Sequence, residues 1–407
     1  SSMVGRILPL AEEVGAAGHT VDVLTLSGSE QSPYTTEAHY GEHVTLRTVG
    51  PSLRATQAAQ AGFFTTVKRF FAGRTALFNA LTQYSADIIV LAKPQLQNTS
   101  PVLAIAQERG IPLLLDVDDD EVRSSRIPIV LRGYVAGLEA RAIRAAAAVT
   151  AASPALVEHV REHRPDVRTE LFPTGIRIPS VIRQARLRER LHLSPDAKIL
   201  LYVGSLSISS GHRVDLLLEA FSELVQSSPD VHLVLAGDGI DAEKLRTMAH
   251  TLFPGSHANG NVRVGGYPIP ERIHFLGRFT PPEDIALARE ANLLVDPVDH
   301  NPANIAKSSH RVLLALATGT PIIAGNIGIR PILLPPALHR MCLYDPHTRG
   351  SLHDAIVRSL NDGTMRLHFQ QQTVGRVDQW TWPMLRGKFV QILESVATKP
   401  TRLSPST

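Results

Sequence analysis

The segment Asp296–Gly328 decides the fold class, and it reads DPVDHNPANIAKSSHRVLLALATGTPIIAGNIG. Its pattern predicts the end of a buried strand, a loop, a helix from about Lys307 to Thr318, a tight turn and a second buried strand. Gly319 suits the left-handed position that ends such a helix. Ser308 and Ser309 stand at the predicted N-cap, where backbone N–H groups and the helix dipole favour an anion. Positive charge from the neighbouring lysine, histidine and arginine strengthens the prediction of an anion site at this helix start.

Strands and helices alternate on both sides of this segment. Strands are predicted at 20–26, 42–48, 87–91, 112–117 and 148–151, with helices at 6–17, 54–84 (broken near Gly73), 101–109, 131–147 and 154–163. The rhythm breaks over 172–195 and restarts at Lys198. We therefore predict an α/β protein with two Rossmann-like, doubly wound domains that face each other across a cleft.

The predicted boundaries follow these changes of rhythm. The parts are an N-terminal acceptor domain over 1–175, a linker over 176–197, a C-terminal donor domain over 198–373, a closing helix over 374–398 and a disordered tail over 399–407. Residues 1–5 already read as a loop followed by the first helix. We expect the first strand of the N-terminal domain to be missing, through truncation or incomplete gene prediction rather than natural loss.

Composition narrows the class of protein. The 407 residues carry a formal charge of +3, a mild excess that suits phosphate ligands or an anionic membrane face rather than nucleic acid. No apolar run is long enough for a membrane span, and Cys342 is the only cysteine. With no secretory signal visible, we expect a soluble cytoplasmic protein, with a location at the inner face of the membrane left open.

Six stretches, taken in order, resemble the family 4 glycosyltransferases, which have the two-domain GT-B fold. In addition to the opening segment they are Leu10–Leu26, Ile111–Glu121, Leu200–Phe221, Val231–Gly239 and Ile273–Phe279 with Ile285–Pro297. The resemblance implies transfer of a sugar from a nucleotide-diphosphate sugar with retention of configuration, in glycan biosynthesis, without a metal or other cofactor. The acceptor would be a carbohydrate, a lipid-linked molecule or a small molecule, with peripheral membrane contact as an option.

The resemblance and the rule that open sheets bind ligands beyond their strand ends together select the site residues. Predicted catalytic residues are Asp118, Lys307 and Arg311. Predicted donor-binding residues are Gly204, Ser205, Ser210, Gly211, Arg213, Gly237, Asp238, Gly239, Ser308, Ser309, His310, Gly325 and Asn326. Predicted acceptor-binding residues are Gly5, Lys93, Asp119 and Glu121, and no metal ligand is predicted.

The chain departs from the family pattern at the donor site. Ser205 and Ser210 stand where an arginine and a lysine are usual, and Leu314 and Ala306 stand where glutamates are usual. Arg213, Lys307 and His212 could replace the lost charge if their side chains point inward. A leucine cannot accept a hydrogen bond from a ribose hydroxyl. A non-catalytic GT-B homologue that acts as a binding partner is therefore the alternative hypothesis. A Rossmann dehydrogenase is disfavoured, because no GxGxxG turn follows a strand with an acidic residue about 20 positions later.

Two further patterns leave alternatives open. The carboxylates of Asp116–Glu121 could contact the acceptor, cap a helix or bind a metal, and Asp118 is the first choice for orienting the acceptor. The run Phe63–Phe78 alternates aromatic and basic residues. It could lie on an anionic membrane or contact a lipid-linked acceptor, but we favour a helix that packs its phenylalanines on the sheet with its basic residues outside.

Overall fold

The computed structural model describes residues 3–28, 35–53, 63–122, 129–228, 230–253, 263–264, 267–268 and 272–397. The chain divides into two compact units, one made of Ser1–Thr174 with Trp382–Thr407 and the other of Gly175–Thr381. The predicted start of the long helix at 54–62 and the tail at 399–407 lie outside the described residues. In the described ranges, no helix is both long and apolar enough to cross a bilayer.

The first unit begins with a π-helical turn, Met3–Ile7, that runs directly into a helix. Its strands are β1 Val21–Ser27, β2 Thr36–Tyr40, β3 Val44–Pro51, β4 Ile89–Ala92, β5 Leu113–Val117, β6 Ala148–Ala151 and β7 Arg168–Leu171. Its helices before the second unit are α1 Leu8–Ala16, α2 Phe63–Gln83, α3 Thr99–Arg109, α4 Ile129–Ala145 and α5 Pro154–His163.

The strands of the first unit form two sheets, where one continuous sheet was predicted. One has the order β1-β3-β2, and the other is parallel with the order β4-β5-β6-β7. Among the described residues no hydrogen-bonded ladder joins β1 to β4. The sequence pattern also missed β2 and β7. Both are short, partly exposed strands at sheet edges, where the apolar alternation that reveals a strand is weak.

The second unit contains a single six-stranded parallel sheet. Its strands are β8 Lys198–Val203, β9 Val231–Ala236, β12 Ile273–Gly277, β13 Leu293–Asp296, β14 Ile322–Gly325 and β15 Leu343–Tyr344, with a separate hairpin of β10 Arg263–Val264 and β11 Tyr267–Pro268. The order β12-β9-β8-β13-β14-β15 is the doubly wound Rossmann order, so this part of the fold prediction is confirmed. β8 and β9 are almost wholly buried, as expected for strands covered by helices on both faces.

Helices cover both faces of this sheet and one of them carries the predicted anion site. They are α6 Leu187–Arg190, α7 Val214–Ser227, α8 Ala242–Leu252, α9 Glu283–Glu290, α10 Pro302–Ala306, α11 His310–Thr318, α12 Arg330–Leu333, α13 His339–Cys342, α14 Ser351–Asn361 and α15 Met365–Thr373. α11 ends at Gly319 with φ 65°, as the opening segment predicts. Ser309 is its N-cap, and the Ser309 hydroxyl accepts a hydrogen bond from the backbone N–H of Val312.

The closing helix begins later than predicted. It is α16 Trp382–Ala397, and it belongs to the first unit. The ring of Phe389 lies 5.3 Å from that of Phe172, and Lys388 Nζ donates to the Leu171 carbonyl at 2.9 Å. These contacts explain why a helix from the C-terminal end of the chain is part of the N-terminal unit.

Helix α2 differs from its prediction in two ways. It continues through Gly73, whose place a larger residue cannot take, because a Cβ there would lie 2.2 Å from the Pro51 carbonyl oxygen. The glycine therefore allows a close approach to β3 and does not break the helix. The preferred packing of the phenylalanines is wrong for Phe64 and Phe71, which are 87% and 58% exposed. The buried face instead contains Arg69, Gly73 and Leu77.

Candidate donor and acceptor sites

The glycine turns at the ends of β8 and β9 pack backbone against backbone. Gly204 has φ 150° and Gly237 has φ 147°, conformations that residues with a Cβ rarely adopt. A Cβ on Gly237 would lie 1.7 Å from the Gly204 carbonyl oxygen, and one on Gly239 would lie 2.3 Å from that of Leu206. Three of the predicted donor-site glycines are thus required by local sterics at the carboxyl end of the sheet.

A buried ion-pair network lies beside these turns. Asp296 is fully buried, and its Oδ1 accepts from Arg311 Nε at 2.8 Å, while its Oδ2 accepts from Ser309 Oγ at 2.6 Å and Arg330 Nε at 2.7 Å. Burial alone would raise the pKa of Asp296, but the charges of Arg311 and Arg330 outweigh it and hold that pKa well below its usual range. Sequence reasoning selected neither Asp296 nor Arg330. Each gives only a weak signal in the sequence. Asp296 is a single charged residue at the end of an apolar strand, and Arg330 is a single charged residue in a short helix.

Arg311 occupies a different environment from the one expected of a cation open to a ligand. Its side chain is nearly buried, and Nη1 donates to the Val203 carbonyl at 3.1 Å. The guanidinium also lies 4.8 Å from the centre of the Tyr202 ring. A Cβ on Gly204 would lie only 2.5 Å from Arg311 Nη1. Arg311 therefore packs against the glycine turn and also supplies positive charge.

Lys307 reaches the turn from another direction. It follows α10, and its Nζ donates to the backbone carbonyl of Ser210. The resemblance expects a lysine at position 210 itself. The structure thus brings the ammonium of Lys307, one of the three suggested replacements, next to Ser210, which lies 97 positions earlier in the chain.

His212, which the sequence offers as one possible replacement for the lost charge, completes this group. Its Nδ1 is buried and has no hydrogen-bond partner among the described residues. Burial, followed by the nearby charges of Arg311 and Lys307, holds the pKa of His212 well below its usual value, so the ring is neutral at pH 7. A buried polar atom without a partner is costly, and an incoming polar ligand would satisfy it.

Other predicted donor residues are engaged locally. Arg213 pairs with Asp215 at 2.8 Å and with Asp299, and the hydrogen bond to Asp215 is the main reason that its pKa is raised. His310 Nε2 lies 3.1 Å from Asp284 Oδ2, and Arg278 Nε lies 3.0 Å from Asp238 Oδ2. The charge of Arg213 is therefore largely compensated, and the His310 ring is in contact with a carboxylate.

The remaining donor-site predictions fall on the same strand ends. The Ser205 carbonyl accepts from the Tyr202 hydroxyl at 2.7 Å, and a Cβ on Gly211 would lie 2.2 Å from Asn304 Oδ1. Gly325 closes β14, and the Asn326 N–H donates to the Tyr344 carbonyl at 2.8 Å. Ser308 immediately precedes the N-cap of α11. Leu314 is fully buried in the core and offers no polar atom to a ligand.

In the first unit, three of the four predicted acceptor residues form one cluster together with Asp118. Lys93 Nζ lies 3.2 Å from Asp118 Oδ1, 3.6 Å from Asp119 Oδ2 and 3.4 Å from Glu121 Oε1. Burial alone would lower the pKa of Lys93, but these carboxylates outweigh it and raise the pKa. The side chains of the acidic segment converge on an ammonium group at the ends of β4 and β5. Lys93 itself has a left-handed backbone, with φ 57°.

Asp116 has a different role from the acidic residues that follow it. Its carboxylate accepts from Arg6 Nε at 2.8 Å, Arg6 Nη2 at 2.6 Å and Thr150 Oγ1 at 2.6 Å. Both Arg6 and Asp116 are 1% exposed. This pair anchors the first helical turn to β5. Gly5 consequently lies in a helical turn and not in the predicted loop, because Arg6 holds that segment against the sheet.

Glycine-rich strand ends, a cationic helix start and two Rossmann-type units define the GT-B class of glycosyltransferase fold. Comparison with known families agrees. The family described as "Glycosyl transferase 4-like domain" matches residues 3–175, and that described as "Glycosyl transferases group 1" matches residues 197–362. The chain belongs to the family 4 glycosyltransferases.

Individual relatives are distant. A D-inositol 3-phosphate glycosyltransferase of Corynebacterium efficiens is 26% identical over 197 residues, which are 48% of this chain and 42% of the relative. A phosphatidyl-myo-inositol mannosyltransferase of Mycobacterium leprae is 24% identical over 57% of this chain and 55% of the relative. The chain thus spans about half the length of these curated relatives. A sucrose-phosphate synthase of Thermosynechococcus elongatus shares the fold, with a TM-score of 0.74 at 20% identity over 96% of this chain and 92% of that chain.

Proposed function

We propose that this protein transfers a sugar from a nucleotide-diphosphate sugar to an acceptor hydroxyl, with retention of configuration and without a metal ion. The observation that carries the proposal is the unsatisfied Nδ1 of His212 within a cationic group. Family membership supports the reaction class. The named relatives support an inositol-containing or lipid-linked acceptor, since one is named for inositol phosphate and the other for phosphatidyl-inositol.

The donor site owes its preference for a diphosphate to charge. Arg311 and Arg330 share the single carboxylate of Asp296, so this buried network retains positive charge. Lys307 adds an ammonium group that donates to the neutral backbone carbonyl of Ser210. As the sugar–phosphate bond breaks, negative charge grows on the leaving diphosphate, and fixed positive groups in a dry site stabilise it. Lys307 would contact the diphosphate, whereas Arg311 would orient the glycine turn.

The acceptor site has the opposite charge balance. The Lys93 ammonium is in contact with the carboxylates of Asp118, Asp119 and Glu121. An excess of acceptor oxygens suits the hydroxyl groups of a polyol better than it suits a phosphate. Asp118 would accept a hydrogen bond from the reacting hydroxyl, with Lys93 keeping the carboxylate in place. Orientation of this kind contributes to rate by holding the reacting atoms close together.

A lipid-linked acceptor would also require contact with a membrane. The exposed face of α2 presents Phe64 and Phe71, seven residues apart, together with the exposed side chain of Lys68. Exposed aromatic and basic residues on one helical face are suited to an anionic membrane surface. We therefore propose that α2 brings the first unit to the lipid that carries the acceptor.

Calorimetric titration with UDP, GDP and ADP tests the donor site. We expect one diphosphate to bind, and Lys307→Ala to weaken it roughly ten- to a hundredfold, the range for a hydrogen bond to a charged group. Lys198→Ala is the matched control, because Lys198 Nζ also donates to a backbone carbonyl, at 2.9 Å, but at the opposite end of β8. Its affinity should equal that of the unmodified chain.

Turnover assays then separate transfer from simple binding. Hydrolysis or transfer with the matching nucleotide sugar, in the presence of EDTA, supports a metal-independent enzyme. Binding without turnover towards any inositol, lipid or saccharide acceptor would favour the non-catalytic alternative. No binding of any nucleotide diphosphate, or an equal loss in both lysine variants, would refute the proposed donor site.

A further inference from the structure

One group of possible metal ligands lies on α5, apart from every residue proposed for the donor and acceptor sites. His159, Glu162 and His163 each offer one ligand atom, and these atoms lie within 4.8 Å of one another. Their spacing on the helix is i, i+3 and i+4, which places all three on one face. In the described part of the chain, this is the one group of three such side chains that is close enough to share an ion.

One nitrogen of each imidazole already contacts a protein oxygen. His159 Nε2 lies 3.2 Å from Glu139 Oε2, and His163 Nδ1 lies 3.0 Å from the His159 carbonyl. If each of these nitrogens carries the proton, His159 Nδ1 and His163 Nε2 present lone pairs. His159 Nδ1 faces Glu162 Oε2 at 3.8 Å, a separation that a shared ion would bridge. A second hydrogen bond from a ligating histidine to a carboxylate or a carbonyl is a usual feature of metal sites.

Glu139 provides an independent reason to assign a ligand here. It lies on α4, it is 2% exposed, and its Oε1 is buried with no hydrogen-bond partner among the described residues. Burying a carboxylate beside a neutral imidazole costs free energy. The cost is lower when the imidazole is positively charged, or when a cation bound to its other nitrogen polarises it.

We propose that His159, Glu162 and His163 bind one divalent transition-metal ion, with Zn²⁺ as the best match, and that Glu139 is a positioning residue for His159. Two imidazoles and a carboxylate suit Zn²⁺, and water completes the coordination. The ion would tie the C-terminal end of α5 to α4 through the His159–Glu139 contact. It would take no part in sugar transfer, so this inference does not depend on the proposed function.

The test uses the full chain without a histidine tag, freed of metal by a chelator. Calorimetric titration with Zn²⁺ should show one equivalent bound, and the melting temperature should rise with free Zn²⁺. Co²⁺ should give the visible absorption of a site with four or five ligands. His159→Gln and His163→Gln should each abolish the heat that is released or absorbed when Zn²⁺ binds at this site. Glu139→Gln should weaken Zn²⁺ binding roughly ten- to a hundredfold.

Three comparisons keep the test decisive. His19→Gln removes an exposed histidine elsewhere in the same unit and should leave Zn²⁺ affinity unchanged. Glu162→Gln changes a side chain that is 70% exposed, so it should weaken binding with no change in the melting temperature of the metal-free protein. No Zn²⁺ binding, or binding that survives the combined loss of both histidines, would overturn the proposal. So would a Glu139→Gln variant that loses metal-free stability but keeps full affinity.

Discussion

Arg311 Nε donates a hydrogen bond to Asp296 Oδ1 at 2.8 Å, and Arg311 Nη2 lies 2.6 Å from the same oxygen of this fully buried carboxylate. This contact joins the carboxyl end of β13 to the start of α11. It fixes the orientation of the helix start in which the anion site was predicted. The donor site therefore depends on a buried charge network as much as on the residues that would touch a ligand.

Asp296→Asn should be strongly destabilising. It leaves the guanidinium groups of Arg311 and Arg330 buried without a counter-charge, and removal of one partner from a buried pair costs about 3–5 kcal/mol. Urea denaturation followed by circular dichroism measures this. The control is Asp238→Asn, which loses an exposed pair with Arg278 and should change the free energy of unfolding by about 1 kcal/mol or less. Equal effects in the two variants would show that the Asp296 network is not structural.

Gly237→Ala should disrupt the glycine turns. Its Cβ would lie 1.7 Å from the Gly204 carbonyl oxygen, and its φ of 147° suits only glycine. We expect loss of nucleotide diphosphate binding together with lower stability. Gly137→Ala is the matched control, because Gly137 lies within α4 with no atom near its added Cβ. That change should stabilise the chain by roughly 0.5–1 kcal/mol. Full binding by Gly237→Ala would contradict the close approach of the two turns.

Lys93→Ala should impair use of the acceptor without affecting binding of the donor. It removes the ammonium group that holds the carboxylates of Asp118, Asp119 and Glu121 together. Since the donor residues lie in the other unit, nucleotide diphosphate affinity should be unchanged while transfer to the acceptor falls at least tenfold. Steady-state kinetics with each substrate varied in turn measures the effect on the donor and the effect on the acceptor separately. A matched drop in donor affinity would argue against an acceptor role.

Stability should fall as the pH is lowered through the range of the stacked pair His232 and His274. Their rings lie 5.4 Å apart, and burial, with a contribution from His232, lowers the pKa of His274 to about 4. The unfolded chain therefore binds more protons than the folded one between about pH 6.5 and pH 4. This contribution to stability is fully present above the unfolded pKa and is lost as the pH falls towards the folded one. His274→Phe should flatten the dependence of melting temperature on pH across this interval, whereas an unchanged slope would assign it to other groups.

Binding to anionic vesicles tests the exposed face of α2. Phosphatidylglycerol vesicles should co-sediment the chain at low salt, and the pair of changes Phe64→Ser and Phe71→Ser should reduce the bound fraction several-fold. The control is Leu367→Ser, which removes another exposed apolar side chain, 60% exposed, from the second unit. Equal binding by all variants would show that this face does not contact the membrane.

Elements with a strong apolar period were predictable, and the exceptions have physical causes. β6 and α5 lie where the sequence predicts them, and Ser153 caps α5 by accepting from Leu156 N–H. The edge strands β2 and β7 were missed because few of their residues are buried. Gly73 was misinterpreted as a helix break because a glycine needed for close packing looks the same in sequence as one needed for flexibility.

The candidate site was predictable only in outline. Gly204, Gly237 and Lys93 could be selected because strand ends and glycines are visible in one dimension. The pairing of Asp296 with Arg311, the approach of Lys307 to Ser210 and the unsatisfied nitrogen of His212 could not. The first two join residues whose separation along the chain carries no periodic pattern, and the third depends on which atoms surround one buried ring.

The sequence by itself determined the fold class, the alternation of strands and helices, and the positions of the strand ends, because these follow from local propensity and the burial of apolar residues. The tertiary structure alone decided which charges are compensated and which remain for a ligand. Arg213 is neutralised by Asp215 and Asp299, whereas the network of Arg311 and Arg330 keeps an excess of positive charge around His212. Electrostatic energy depends on distance and burial in three dimensions, and neither quantity is written in the order of residues.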